Sequence, residues 1–366
     1  MVPRRFDAPE RQGLTSVTEV RRIDFGLKAS SQRTRAVVHA AIGNGSGPRV
    51  SSNATTSKNF RSLARRRLPG PIFHYIDGAA DDEVTYRRNT EAYERCDLVP
   101  NVLAGVEGID MSTTVMGQKL AMPLFWPPTA LQRLFHHDGE RAVAKAAEKF
   151  GTMFGILSLG TIGIEEIGTT ISTPKLFQVS FVSHPRWAAN YFTHKKFELP
   201  QLKDYVKEGS NISVSVGDYF STMLDQSMNW QDAADVRKKW GKQFCLKGIM
   251  SVAKRAVDIG ATGIMVSNHG ARQLDGSRSP FDQLAEIVDA VGDRIDVICD
   301  GGVARGTHVL KALSLGAGGR LYLYALAAAG QAGVELGNLH AEIERDMKLM
   351  GCRTVDQLSR DNLRFR

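Results

Sequence analysis

A chain of 366 residues, 42% hydrophobic and 23% charged, has the balance of a soluble globular protein, with room for one large domain or two ordinary ones. The net charge of +8 comes largely from arginines near the amino terminus, Arg61, Arg65, Arg66 and Arg67 among them; with no nucleic-acid motif or aromatic interleaving, no nucleic-acid partner is expected. Cys96, Cys245, Cys299 and Cys352 stand far apart without a CxxC pair, which argues against a disulfide framework or zinc site and for a reducing compartment, and no apolar run reaches membrane-spanning length.

Residues 1–57 are rich in Ser, Arg, Gly and Asn, show no sustained period and read as a disordered extension; the domain proper is expected over 58–366. Its first elements are a basic helix from Phe60 that stops before Pro69 and an apolar-faced segment from Ile72 to Ile76, ending at Gly78 and carrying Tyr75. From Met122 short apolar runs alternate with helical patterns. Strands are expected at Met122–Trp126, Thr152–Leu157, Leu176–Val179, Phe244–Ile249, Gly263–Val266 and Ile295–Cys299, with helices at Gly139–Phe150, Thr307–Leu315 and Leu339–Leu349. Such alternation implies right-handed βαβ units and a parallel sheet. His136, His137 and Asp138 read as a solvated helix start, because adjacent helical histidines face apart; no metal is expected.

Chemistry concentrates where the run Gly263–Val266 stops. Ser267-Asn268-His269-Gly270-Ala271-Arg272-Gln273 should lie just past a strand's carboxyl end, the side on which parallel α/β proteins place their sites. His269 is suited to take a proton near neutral pH, and Arg272 offers a planar fork to a carboxylate. Lys247, inside an apolar strand, suits a cation set against a group that gains negative charge. Asp300-Gly301-Gly302 and Gly318-Gly319-Arg320 let backbone amides approach a phosphate, and a phosphate site built from the last two βα loops is a habit of the (β/α)8 barrel.

With Pro128-Thr129-Ala130 after the first strand and Tyr75 upstream, this signature resembles the FMN-dependent α-hydroxy-acid dehydrogenases and oxidases over roughly residues 60–366. The resemblance implies a (β/α)8 TIM barrel with FMN at its mouth. A small L-2-hydroxy acid, lactate first among them, would be oxidised to the 2-oxo acid, and the electrons would pass to a quinone, cytochrome or oxygen. It implies His269 as catalytic base, with Tyr75 and Arg272 binding the substrate carboxylate. Lys247 would face the flavin's N1 and O2 region. Pro128, Thr129, Ala130, Ser158, Gln178 and Ser267 would contact the isoalloxazine and ribitol, while Asp300, Gly301, Gly302, Val303, Ala304, Gly319 and Arg320 would hold ribitol and phosphate. A homotetramer, cytoplasmic or peripheral at the inner membrane, is the family's usual form.

Several positions depart from the family's pattern. Gln178 runs through Val179-Ser180-Phe181 into His184-Pro185-Arg186-Trp187, which match a region well downstream. The incomplete barrel is therefore short of about one βα unit, the one bringing a flavin-contacting threonine, an aspartate against the catalytic histidine, a substrate arginine and the loop that senses the substrate's side chain. Met250–Arg255 lacks about two residues at a helix start, and Gly316–Arg320 is too short for a strand before its glycine pair. Leu157 replaces a serine, leaving Ser158 as the nearest substitute, and Ala304 replaces an arginine, with Arg305 one position late. Two readings follow: a working FMN enzyme, or a truncated relative that is impaired or inactive.

Overall fold

The computed structural model describes residues 56–179, 227–317, 319–320 and 332–366. All fall within one unit spanning Val50–Arg366. Residues 1–55, nearly all of the expected extension, lie outside the described residues, as do His184–Trp187 and the run from Leu321. Ser57 already belongs to a helix.

Helix α1 (Ser57–Arg67) is capped by the Thr56 hydroxyl, which accepts from Asn59 N, and ends at Leu68 ahead of Pro69. Helix α2 (Gly70–Asp77) begins with a proline in its first turn, where the missing N–H costs nothing, and α3 (Val84–Glu94) follows. Three short strands come next, β1 (Cys96–Leu98), β2 (Thr113–Val115) and β3 (Gln118–Leu120). The α/β series then runs β4 (Leu124–Phe125), α4 (Glu140–Lys149), β5 (Phe154–Leu157), α5 (Ile164–Thr170) and β6 (Lys175–Gln178). After the undescribed interval come α6 (Trp230–Trp240), β7 (Cys245–Lys247), α7 (Ala253–Asp258), β8 (Gly263–Ser267), α8 (Pro280–Val291), β9 (Asp296–Asp300), α9 (Gly306–Ser314) and β10 (Gly319–Arg320). Helix α10 (Ala332–Met350) and β11 (Leu363–Phe365), antiparallel to β1, complete the described chain. All six strands expected from the apolar runs are present.

The fold is α/β. Strands β7, β8 and β9 form a parallel sheet, β5 pairs β6 in parallel, and β10 pairs β4 in parallel while packing beside β9. A parallel bridge from Trp126 to Phe154 joins the β4 chain to β5. The seven strands therefore follow one another as β7, β8, β9, β10, β4, β5, β6, with β10, the last of the series in the chain, beside β4, the first. Among the described residues no pairing joins β6 to β7. Strand β8 is buried along its length, as a central parallel strand should be, whereas Phe177 on β6 is 40% exposed and its successor Val179 57%.

Two expectations are corrected here. Gly319 and Arg320, expected as a phosphate loop beyond a strand, are themselves strand residues in register with Leu124 and Phe125. His136 and His137 lie on a turn ahead of α4, not on a helix, so their rings sit side by side with centroids 4.2 Å apart. Donor atoms of these two and Asp138 lie within 4.8 Å of one another. Yet His136 Nδ1 accepts from Asp138 N at 3.2 Å, and Arg67 and the positive start of α4 oppose a cation there.

In the link between β7 and α7, Val252 is a β-branched residue held at φ 48°, where the side chain crowds the backbone. Among the described residues, no helix is long and apolar enough to cross a membrane.

Helix α10 packs on α9 and α4 and buries Glu335. One carboxylate oxygen lies 3.2 Å from the Ser57 hydroxyl; the other has no partner, and burial pushes the pKa up to about 8 from an ordinary 4.5. Between about pH 4.5 and 8 the folded chain thus holds a proton that the unfolded chain releases, so stability must fall as pH rises through that window. Glu335→Gln keeps the shape and should flatten this decline in denaturant titrations at pH 5 and pH 8; equal slopes in both proteins would contradict the assignment.

Candidate active site

Three consecutive strands deliver one polar side chain each to a common point at their carboxyl ends. Lys247 closes β7, Ser267 closes β8 and Asp300 closes β9, and the parallel register aligns Ser267 with Asp300. Lys247 Nζ lies 3.5 Å from Asp300 Oδ2 and 3.4 Å from Ser267 Oγ, which donates to the same carboxylate oxygen at 2.5 Å. Lys247 and Asp300 expose only 17% of their side chains, so the pair is screened far less than a surface bridge. Asp300, expected to begin a loop, is the last strand residue.

The Ser267 hydroxyl also accepts from His269 N at 3.2 Å and so fixes where the chain leaves β8. His269, Gly270 and Ala271 then take φ of 57°, 66° and 62°, three successive left-handed residues of which only one is glycine. This tight turn is costly for the two side-chain-bearing residues, and it projects His269 into solvent-accessible space. Asn268 Oδ1 supports it by accepting from Ala271 N at 3.1 Å.

Arg272 follows the turn. Its guanidinium sits 5.0 Å from the centroid of the Tyr75 ring and donates to Gly78 O at 2.5 Å, binding the end of α2 to this loop. Burial raises the Tyr75 pKa and the cation above it opposes that rise, so the phenol stays protonated at neutral pH. Tyr75 also stacks with Phe135, the ring centroids 6.4 Å apart.

A cavity of about 570 Å³ opens beside the turn, within the usual range of small-ligand pockets, about 300–1,000 Å³. Gln178, Lys247, Ser267 and His269 line it, together with Asn268 and Gln273 of the same signature and with Ser277 and Arg278, which the sequence had not singled out. The Gln178 Oε1 atom is buried without a hydrogen-bond partner.

The other expected residues stand at the carboxyl ends of neighbouring strands, outside that lining. Pro128, Thr129 and Ala130 follow β4; Thr129 Oγ1 accepts from Gln132 Nε2 at 2.8 Å, and a Cβ added to Gly155 would meet Pro128 N at 2.4 Å, so strand and loop are in direct contact. Ser158 is buried after β5 and its N–H donates to Gln178 O at 2.9 Å. Gly301 and Gly302, at φ 120° and 76°, lead from β9 into Val303 and Ala304. That loop is backed by His308, whose Nδ1 lies 3.3 Å from Ala304 N and 3.2 Å from Gly302 O; burial draws its pKa down to about 4, so the ring is neutral at physiological pH. Gly319 and Arg320 lie on β10 beside β4.

The structure thus brings His269, Arg272 and Tyr75 into one loop cluster, and Lys247, Ser267 and Gln178 into one cavity wall. Sequence reasoning missed Asp275, which accepts from Val84 N at 3.2 Å and Thr85 N at 2.7 Å and anchors α3 to the loop after His269. Those amide bonds hold its pKa down to about 2. The Asp-Gly pair at 275–276 marks a turn in the sequence, but nothing local shows that its carboxylate reaches a helix so far upstream.

The model of the FMN-dependent dehydrogenase family matches residues 64–195 and 179–365 of the chain. This protein is a member of that family. Glycolate oxidase 1 from Oryza sativa is 34% identical over 354 residues, covering 84% of this chain and 95% of the relative. An L-lactate dehydrogenase from Xanthobacter autotrophicus is 32% identical over 373 residues, with 84% and 96% covered. Among solved structures, a soluble mutant of the membrane-associated (S)-mandelate dehydrogenase from Pseudomonas putida superposes with a TM-score of 0.74 at 31% identity, covering 86% of this chain and 100% of that one. A mandelate oxidase does so with a TM-score of 0.75, also at 31% identity, covering 85% and 99%.

Membership makes the chain an FMN-dependent oxidoreductase. Its cavity fits that cofactor. The orphaned Gln178 oxygen is an acceptor awaiting an N–H, which a flavin's imide supplies, and Lys247 and Ser267 offer a cation and a hydroxyl on the same wall. Truncating Asp300 to Ala would leave the Lys247 ammonium without its nearest carboxylate. The apoprotein should lose on the order of 3 kcal/mol in urea unfolding; a loss below about 1 kcal/mol would show that the cluster behaves as a surface pair.

Proposed function

We propose that the protein oxidises a small L-2-hydroxy acid, with lactate the first candidate, to the corresponding 2-oxo acid. One observation carries the reading: Arg272, stacked on Tyr75, stands three residues from His269 and beside a cavity walled by Lys247 and Gln178. A guanidinium and a phenol hydroxyl together suit a carboxylate, and an imidazole on the adjoining turn suits the hydroxyl or α-carbon proton of the same small molecule. Glycolate oxidase, L-lactate dehydrogenase and mandelate oxidase among the relatives point to the same substrate class.

In this reading Tyr75 and Arg272 orient the substrate, and His269 takes one proton from it as the carbinol carbon becomes a carbonyl. When bound, FMN takes up the two electrons and passes them to a quinone, a cytochrome or oxygen. Lys247 places positive charge on the flavin's N1 and O2 side. Gln178, Ser158, Ser267, Pro128, Thr129 and Ala130 serve the isoalloxazine and ribitol. Asp300, Gly301, Gly302, Val303, Ala304, Gly319 and Arg320 serve ribitol and phosphate, with Arg320 contributing from a strand position. The domain is read as residues 58–366, the assembly as a homotetramer.

The architecture is read as a (β/α)8-type barrel short of about one βα unit between β6 and β7. Supporting this, the alignment with glycolate oxidase 1 runs over 354 positions yet uses only 84% of a 366-residue chain, so several tens of its positions fall opposite gaps in this protein. The same feature favours a second reading, in which the shortened ring binds FMN weakly and turns over little.

Purified protein separates the two. A yellow sample bleached under anaerobic conditions by L-lactate, glycolate or (S)-mandelate supports the enzyme and ranks its substrates; a colourless sample that takes up no FMN supports the impaired relative. His269→Gln should keep the colour while slowing bleaching by about 10²–10⁴-fold, the usual contribution of a general base. Bleaching at the wild-type rate in that variant would remove His269 from the mechanism.

A further inference from the structure

We infer that Asn89 is a positioning residue: its side chain braces the His269 turn through Asn268, while its backbone packs against Gly302 of the Asp300–Ala304 loop. The inference rests on the functional reading above only in what the two loops do; the contact itself stands on geometry.

Helix α3 presents a single face to both loops. Its start is held by Asp275 through Val84 N and Thr85 N. One turn on, Arg88 Nη1 donates to Ser277 O at 3.2 Å, and near its end the Tyr93 hydroxyl lies 3.4 Å from Gly301 O. Asn89 sits between these on the same face, 1% exposed. It exchanges two hydrogen bonds with Asn268: Asn89 Nδ2 donates to Asn268 Oδ1 at 3.1 Å, and Asn268 Nδ2 donates to Asn89 Oδ1 at 2.7 Å.

The orientation of the pair is fixed by a third contact. Asn268 Oδ1 also accepts from Ala271 N, so that atom must be the oxygen, and the Asn89 group facing it must be the amide nitrogen. On its other side Asn89 touches the phosphate loop. A Cβ on Gly302 would lie 1.9 Å from Asn89 O, and one on Gly301 would lie 3.5 Å from Asn89 Nδ2. Gly302 is therefore required both by its φ of 76° and by the backbone of Asn89 against it.

The consequence is mechanical. Three left-handed residues in a row at 269–271 do not hold themselves, and Asn268 can support them only if its amide is held in turn. Losing the Asn89 side chain removes both hydrogen bonds it exchanges with Asn268, leaves the Asn268 amide nitrogen only its 3.2 Å bond to Arg278 O, and slackens the His269 turn on the cavity wall that Asn268 and His269 line. A purely structural asparagine would cost stability and leave both sites as they were.

The test uses the full-length chain with Asn89→Ala, the volume-conserving Asn89→Asp, Asn268→Ala and the double variant Asn89→Ala/Asn268→Ala. Two quantities are read: FMN affinity by quenching of flavin fluorescence on the apoprotein, and the titration of the His269 imidazole by NMR, assigned with His269→Gln. Asn89→Ala should weaken FMN by about tenfold, the worth of one buried hydrogen bond, and displace the His269 titration. The double variant should be no worse than the worse single one, because both remove one coupled pair. Asn89→Asp, which at neutral pH still accepts from Asn268 Nδ2 but cannot donate to its oxygen, should fall between wild type and alanine, and stands in if alanine does not fold. Unchanged FMN affinity and an unchanged His269 titration in a destabilised variant would overturn the inference, as would additive effects. Should the wild-type chain take up no FMN, the functional reading fails, and the His269 titration still decides the clasp.

Discussion

The site depends on one ammonium, one hydroxyl and one carboxylate meeting at the ends of three adjacent strands. Strands β7, β8 and β9 are short, and their parallel register alone would leave their carboxyl ends free to splay. The Lys247–Asp300 pair, bridged by Ser267, ties all three ends at a depth where little water competes. Because Ser267 also holds His269 N, the cluster that closes the strands sets the exit angle of the loop bearing the imidazole. In the proposed function, the ammonium that Asp300 holds in place is the charge Lys247 would present to a bound flavin.

A ring short of one βα unit, as proposed, would differ from a complete member of the family between β6 and β7. First and last strands, β4 and β10, stay paired, so the cyclic order survives on the side away from the gap. The chain achieves this economically: a glycine-arginine pair that serves a loop in the family's pattern becomes the strand itself. Beside the interval between β6 and β7 the edge residue Phe177 is exposed, and in the link that follows β7 Val252 takes a positive φ. The cavity opens on that same side, with Gln178 and Lys247 on the facing strands.

Strands were legible because buried parallel strands are continuous apolar runs, and Gly263–Val266 ending at a polar, glycine-containing stretch marked the candidate site in the sequence. Helices ended where Pro69 and Gly78 said they would. What stayed hidden has a common cause: it depends on partners distant in the chain. Asp275 and Asn268 look like ordinary turn residues until α3 is laid against them, and Asn89 looks like one polar residue in a helix. The side-by-side rings of His136 and His137 were missed because a turn was taken for a helix start. The strand role of Gly319 and Arg320 follows from their pairing with Leu124 and Phe125 and from no local propensity.

The central claim is that this shortened ring still presents a flavin site at the carboxyl ends of its strands. Equilibrium titration of the apoprotein with FMN, followed by visible absorbance after gel filtration, measures it directly. One tightly held FMN per chain, lost when Gln178 and Lys247 are both replaced by methionine in a protein that remains folded, is the predicted result. No retained flavin in the folded wild-type chain, or full retention in the double variant, would contradict the account.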